Sequence, residues 1–92
     1  DKANAFYLNC LACCYIRGLG TAVNEKIAFA YCKKANDLDK TNSGSLYLLG
    51  YCYLNGIGTE VDKEKAKEML QKALELAPDF EGVKDLLAEC EE

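Results

Sequence analysis

The residues of this chain best suited to chemistry are its six cysteines, two of which, Cys10 and Cys13, form a Cys-x-x-Cys motif. Such a motif binds zinc when a second cysteine or histidine pair completes a four-ligand set. The chain has no histidine and no second Cys-x-x-Cys, so a zinc site would have to recruit Cys32 or Cys52 from another helix. No strand precedes the motif, which disfavours a thioredoxin-type redox role. We expect no metal and no cofactor; a metal or redox protein is the alternative that elemental analysis would test.

Catalysis has little support elsewhere in the sequence. Without histidine there is no imidazole base, and most carboxylates alternate with lysines as on solvated helix faces. Gly18-x-Gly20 and Gly56-x-Gly58 resemble phosphate-binding loops, but both lack a third glycine and the lysine of a P-loop. Turn geometry explains these glycines better, since glycine readily adopts positive φ. We therefore expect no enzyme activity.

The glycine pairs belong to an internal repeat with an offset of 38 residues. YIRGLGTAVN at 15–24 returns as YLNGIGTEVD at 53–62, and Cys14 returns as Cys52 and again as Cys90. Recurring at one position, these three cysteines are expected to be small buried apolar residues that face a neighbouring unit. The chain is predicted to be one domain, 1–92, with units at 1–38 and 39–76 and a capping helix at 77–92.

Apolar periodicity predicts about five helices. They cover about 3–17, a stretch from the cap Asn24 to Asp37, 43–54, a stretch after the cap Asp62, and 79–90. Pro78 should end the fourth helix and can occupy the first turn of the fifth. The buried positions should be Leu8, Leu11, Ala12, Tyr15, Ile27, Ala28, Tyr31, Ala35, Leu46, Leu49, Gly50, Tyr53, Ala66, Met69, Leu70, Ala73, Val83, Leu86, Leu87 and Cys90.

The stretch LGYCYLNGIGTEVDKEKAKEMLQKA resembles a Sel-1-like repeat, a relative of the tetratricopeptide repeat. Its pattern is filled by Leu49, Gly50, Tyr53, Gly56, Gly58, Asp62, Lys65, Ala66, Lys72 and Ala73. The first unit departs from the pattern at Ala12, Asn24 and Ile27, and ALELAPDFEGVKDLLAE is closer to a tetratricopeptide repeat. The resemblance implies an all-α superhelix, or solenoid, of antiparallel helix pairs.

The same resemblance bears on the cysteines, because some bacterial Sel-1-like proteins have disulfides across the junction between units. The region from Lys33 to Tyr51 contains no cysteine, and Cys32 and Cys52 are expected to be too far apart to copy that arrangement. We therefore expect free thiols and a reducing, cytoplasmic location.

Stacked helix pairs present their first helices on a concave face, where residues not used in packing can bind a partner. Tyr47 and Tyr51 are the central candidates, because aromatic side chains with a polar tip often anchor interfaces. The alternative is that both tyrosines only cover the neighbouring helix. The predicted partner-binding residues are Asn9, Cys13, Arg17, Tyr47, Tyr51, Asn55, Asp85 and Glu89.

Charge limits the class of partner. The net charge of −4 comes mainly from acidic residues in the second half, which disfavours nucleic acid and anionic membranes. No apolar run approaches the ~20 residues of a membrane span. We expect a monomeric, non-catalytic scaffold for a peptide or protein segment that has an apolar centre and basic residues. An engineered or purely structural array without a natural ligand is the competing interpretation, suggested by the regular Lys/Glu pattern after Asp62.

Overall fold

The computed structural model describes residues 2–91, and within that range the chain forms helices and no strand. The helices are α1 (Lys2–Arg17), α2 (Glu25–Leu38), α3 (Ser43–Asn55), α4 (Lys63–Leu76) and α5 (Glu81–Cys90). This confirms the predicted all-α class and the five helices. Residues 1 and 92, the outer ends of the predicted first unit and capping helix, lie outside the described range.

Three helices begin at the same kind of cap. The side-chain Oδ1 atoms of Asn24, Asn42 and Asp62 each accept a hydrogen bond, 3.1 Å long, from the backbone N–H three residues on. Each bond satisfies one of the N–H groups that a helix start leaves without an intrahelical partner. The caps predicted at Asn24 and Asp62 are confirmed.

The two glycine turns have the same geometry. Gly18 and Gly56 have φ values of 73° and 68°, and each donates its N–H to a carbonyl four residues back, that of Cys14 or Cys52. Further on, the N–H of Asn24 donates to the Tyr15 carbonyl at 2.9 Å, and Asp62 does the same to Tyr53 at 2.8 Å. These bonds close α1 with α2, and α3 with α4, into two helical hairpins of equal design.

The last helix differs from the prediction. It begins at Glu81, two residues later than expected, and Pro78 lies in the preceding turn instead of the helix's first turn. Its cap residue, Phe80, makes no side-chain capping hydrogen bond. One predicted core position is also wrong: Ile27 is exposed, since it lies in the first turn of α2 at the rim of the interface.

The helices form two layers. α3 contacts both α1 and α5, whereas α2 and α4 contact the first-layer helices but, within residues 2–91, not each other. Helices α1, α3 and α5 therefore make one continuous layer, the inner layer, and α2 and α4 pack on its other side. Small residues at the crossings, Ala12, Ala28, Ala35, Ala66 and Ala73, are fully buried, as close helix approach requires.

Candidate partner-binding groove

A groove opens on the inner layer between α1 and α3. One part, of about 450 Å³, is lined by Cys13, Ile16, Arg17, Tyr47, Leu48 and Tyr51. An adjoining part, of about 490 Å³, shares Cys13, Tyr47 and Leu48, and its other lining residues are Phe6, Asn9, Cys10, Cys14, Leu19, Asn42 and Gly44. The structure thus brings four of the predicted residues, Cys13, Arg17, Tyr47 and Tyr51, to one place.

Tyr47 is held from the side opposite the groove. Its ring stacks on Phe80, with centroids 5.0 Å apart, and a Cβ placed on Gly82 would lie 3.1 Å from the tyrosine ring. The side chain is half-buried and packs against the core around Leu70 and Val83. Tyr47 therefore joins α3 to α5 and presents only part of its surface to the groove.

Tyr51 lies one turn further along α3. It is also half-buried and packs against the core on both sides, so covering the neighbouring helices is part of its role. Asn55, the next predicted residue, is exposed, and its Nδ2 donates to the Tyr51 carbonyl at 3.1 Å. Asn55 lines neither part of the groove.

Asn9 connects the two hairpins. Its Nδ2 donates to Oδ1 of Asn42 at 3.3 Å, and its Oδ1 accepts from the hydroxyl of the buried Ser45 at 3.0 Å. Because the same Asn42 oxygen caps α3, this network fixes the start of that helix against α1. Asn9 lines the adjoining part of the groove, but both ends of its amide are used within the fold.

Charged candidates lie at two separate places. Arg17 is exposed at the end of α1 and lines the groove, whereas Asp85 and Glu89 are exposed on α5 and line neither part of it. The groove floor is otherwise apolar. A ligand would meet positive charge at the α1 side and could reach the acids only by extending past Tyr51.

The cysteine arrangement requires a correction. Cys32 on α2 and Cys52 on α3 are fully buried and belong to the same core cluster, so the expectation that they are too far apart to pair across the junction is wrong. Successive helices run antiparallel, which brings the middle of α2 beside the later half of α3. All six cysteines are free thiols. The hydrogen bond to Cys52 and burial raise the pKa of the Cys32 thiol.

The other thiols differ in burial and in the direction of their pKa shifts. Burial raises the pKa of Cys13, although the nearby Arg17 guanidinium partly opposes that shift. Of the three repeat-equivalent cysteines, Cys52 is fully buried, whereas Cys14 and Cys90 are half-buried. Cys52 faces a preceding hairpin, but α1, which carries Cys14, has none before it among the described residues. Burial also raises the pKa of Cys90.

Sequence reasoning missed eight groove residues, which are Phe6, Cys10, Cys14, Ile16, Leu19, Asn42, Gly44 and Leu48. Phe6 and Cys10 lie on the same stripe of α1 as Cys13 and Arg17, at i, i+4, i+7 and i+11. Residues three or four positions apart lie on one face of a helix, so the spacing from Cys13 and Arg17 could have identified Phe6 and Cys10. Leu48 gave no such signal because it is also a core residue.

Two further findings concern the described residues as a whole. Among residues 2–91, no group of three or more cysteine and carboxylate side chains is arranged to hold a metal ion. None of the helices in this range is long and apolar enough to cross a membrane.

The fold and groove define a class of protein, the solenoids built from helical hairpins. Within that class the Sel1 repeat family model matches residues 10–40 and 43–78, more than half of the chain, and the chain belongs to this family. Sel1 repeats are generally non-catalytic protein–protein interaction modules. Comparison with curated proteins and with solved structures gave no significant match.

Proposed function

We propose that this chain is a non-catalytic scaffold that binds a segment of a partner protein in the groove between α1 and α3. The observation that carries the proposal is the lining of that groove, in which two tyrosines and an arginine surround an apolar floor. Apolar surface with a few polar tips is typical of peptide-binding sites. In this proposal the hairpins α1–α2 and α3–α4 are the two units, 1–38 and 39–76, and α5 is the cap.

The ligand that fits best is a short segment with an apolar centre and a basic end. Leu48 and Ile16 supply the apolar contact, and the hydroxyl groups of Tyr47 and Tyr51 can orient a peptide backbone. Asp85 and Glu89 lie on α5, beyond Tyr51, where lysine or arginine side chains of the ligand would be favoured. The groove is small, so affinities of about micromolar or weaker are expected.

A direct test uses a fluorescein-labelled peptide with a leucine-rich centre and lysines at one end. Binding is followed by fluorescence anisotropy, and backbone amide shifts identify the site. The proposal expects the largest shifts at Arg17, Leu48 and Tyr51. It also expects binding to weaken as salt screens the charges over about 8–10 Å.

Variants separate binding from stability. Tyr51→Phe keeps the ring and removes the hydroxyl, and Glu89→Lys reverses an exposed charge at the basic end of the peptide, so both variants should bind the peptide more weakly without a lower melting temperature. Lys72→Ala, an exposed change on α4, is the matched control. If the peptide and a version with glutamates in place of the lysines bind equally well, the charge part of the proposal is wrong. If neither binds, the interpretation as a structural array is favoured.

A further inference from the structure

The α1 side of the groove has a positive charge that the fold does not neutralise. Of the described residues that line the two parts of the groove, only Arg17 is charged. Its guanidinium lies near the Cys13 thiol in the groove, where it partly opposes the rise in the pKa of that thiol. The ion pairs among residues 2–91 do not include Arg17. A ligand in the groove can therefore offer this guanidinium a carboxylate without displacing one of the chain's own.

The third inner helix has the opposite charge. Asp85 and Glu89 lie one turn apart on α5, and both are exposed. Neither belongs to an ion pair among residues 2–91, and Lys84, the lysine of this helix, pairs with Glu81 at 3.5 Å. A ligand that crosses the inner layer thus passes from a cation on α1 to two acids on α5.

Equivalent positions of the repeat join these two sides. Cys13 of α1, Tyr51 of α3 and Glu89 of α5 follow one another at intervals of 38 residues. The structure keeps this register, since the equivalent residues Leu48 and Leu86 are 8% and 7% exposed. Packed helices lie about 8–10 Å apart, so α1 and α5, which both contact α3, are about 16–20 Å apart. An extended chain spans that distance with about five residues.

We propose that the partner segment has an aspartate or glutamate opposite Arg17 and, about five residues away, a lysine or arginine opposite Asp85 and Glu89. The residues between them are apolar and cover the groove floor. This inference rests on the proposed function and adds the charge pattern that fixes the register of the ligand. Complementary charges contribute more to specificity and register than to affinity.

The carboxylate opposite Arg17 is a side chain and not the end of the partner chain. Arg17 is exposed at the rim of the groove, where a side chain can reach it while the backbone continues past. A pocket for a chain end would need several donors around the carboxylate, because its two oxygens offer about four acceptor sites. Among the described lining residues no second cation accompanies Arg17.

The probes are two fluorescein-labelled peptides with blocked ends. In the first, four leucine or alanine residues separate a glutamate from a lysine, and in the second a lysine replaces the glutamate. By fluorescence anisotropy the unmodified protein should bind the first peptide about threefold to fivefold more tightly, as expected for an exposed ion pair. Arg17→Glu should reverse this preference. Lys34→Glu is the matched control, because it makes the same change in net charge at an exposed position of α2 that lines neither part of the groove.

A second series varies the distance between the glutamate and the lysine. Separations of about two, five and eleven residues are compared, and the tightest binding is expected at about five. An optimum at about eleven would mean that the ligand is a helix, which rises 1.5 Å per residue, and would overturn the extended arrangement. Equal binding of a peptide that has a free carboxyl terminus in place of the glutamate would mean that Arg17 binds a chain end.

The remaining outcomes separate this inference from the proposed function. If the two peptides bind equally and both shift the amides of Leu48 and Tyr51, the charge pattern is wrong and the groove is still the binding site. If Arg17→Glu keeps the preference for the glutamate peptide, another group binds the acid and the inference is again wrong. If neither peptide binds, the inference and the proposed function both fail.

Discussion

Gly50 of α3 lies so close to Leu70 of α4 that a Cβ added to the glycine would be 2.6 Å from the leucine Cγ. Contacts this short do not occur, so one helix would have to move. Leu70 is fully buried, and its isobutyl group occupies the space that the glycine leaves. The glycine of the Sel1 pattern is thus explained by the side chain that faces it across the hairpin.

Gly50→Ala should therefore destabilise the protein by about 1–3 kcal/mol through overpacking, in spite of alanine's better helix propensity. Urea unfolding followed by circular dichroism would measure the loss. In a Leu70→Ala background the same change should cost little, because the clash is gone. An equal cost in both backgrounds would show that Leu70 is not the cause.

The first hairpin resolves the same crossing with different residues. Ala12 and Cys32 stand at the positions of Gly50 and Leu70, so a larger residue on one helix is matched by a smaller one on the other. Cys32→Leu alone should destabilise by about 1–3 kcal/mol, and adding Ala12→Gly should recover most of the loss. Thermal melts of the two single variants and the double variant test this coupling. Additive effects would contradict it.

The raised pKa of Cys32 gives the stability a pH dependence. In the unfolded chain a thiol ionises near its ordinary pKa of 9.0, whereas the buried, hydrogen-bonded Cys32 keeps its proton to higher pH. The contribution of Cys32 to the free energy of unfolding is therefore complete below pH 9.0 and decreases as the pH rises above that value. The free energy of unfolding, measured in urea, should be lower at about pH 10 than at about pH 8, and this difference should be smaller in the Cys32→Ala variant. The hydrogen bond from Cys32 lowers the pKa of Cys52, so a stability that does not fall between these pH values would mean that Cys52 ionises in the folded state.

Cys32 and Cys52 should also be the first thiols to pair under oxidation. Under denaturing, non-reducing conditions all six cysteines of the untreated protein should react with a thiol reagent. After diamide, which accepts two electrons and two protons from a dithiol, four should react, and peptide mapping should find the bond between Cys32 and Cys52. The variant Cys32→Ser should keep its remaining five thiols. A disulfide between Cys10 and Cys14 instead would show that solvent exposure, and not proximity, determines which thiols oxidise first.

Tyr47 should contribute measurably to holding α5. Tyr47→Ala removes both the stack on Phe80 and the cover over Gly82, so a loss of about 1–3 kcal/mol is expected. In a double-mutant cycle with Phe80→Ala, the coupling energy should be about 0.5–1.5 kcal/mol. Phe6→Ala is the control, because Phe6 is 67% exposed. No coupling would mean that the two rings pack independently.

The sequence predicts best the features that occur in both repeat units. The glycine turns and the caps at Asn24 and Asp62 each depend on residues close in the chain, and two copies reinforce one another. The contact between Cys32 and Cys52 could not be predicted in this way. It joins two different positions of the repeat, and it depends on how far α2 slides along α3.

The groove was predicted less completely for the same reason, because some of its contacts involve segments that are not repeated. Tyr47 and Tyr51 were found by removing packing residues from α3, but the stack of Tyr47 on Phe80 depends on the turn after Pro78, which has no counterpart earlier in the chain. The late start of α5 depends on that turn as well. The local sequence pattern predicts the structure of the repeated segments, whereas the structure of the segments that occur once depends on tertiary contacts.

The two layers also have a mechanical consequence. The inner helices α1, α3 and α5 contact one another in a row, whereas α2 and α4, within residues 2–91, do not contact each other. Both helices of the first hairpin contact the second hairpin through α3. A change in the tilt of α3 would therefore displace the floor of the groove and the surface on which α2 packs at the same time.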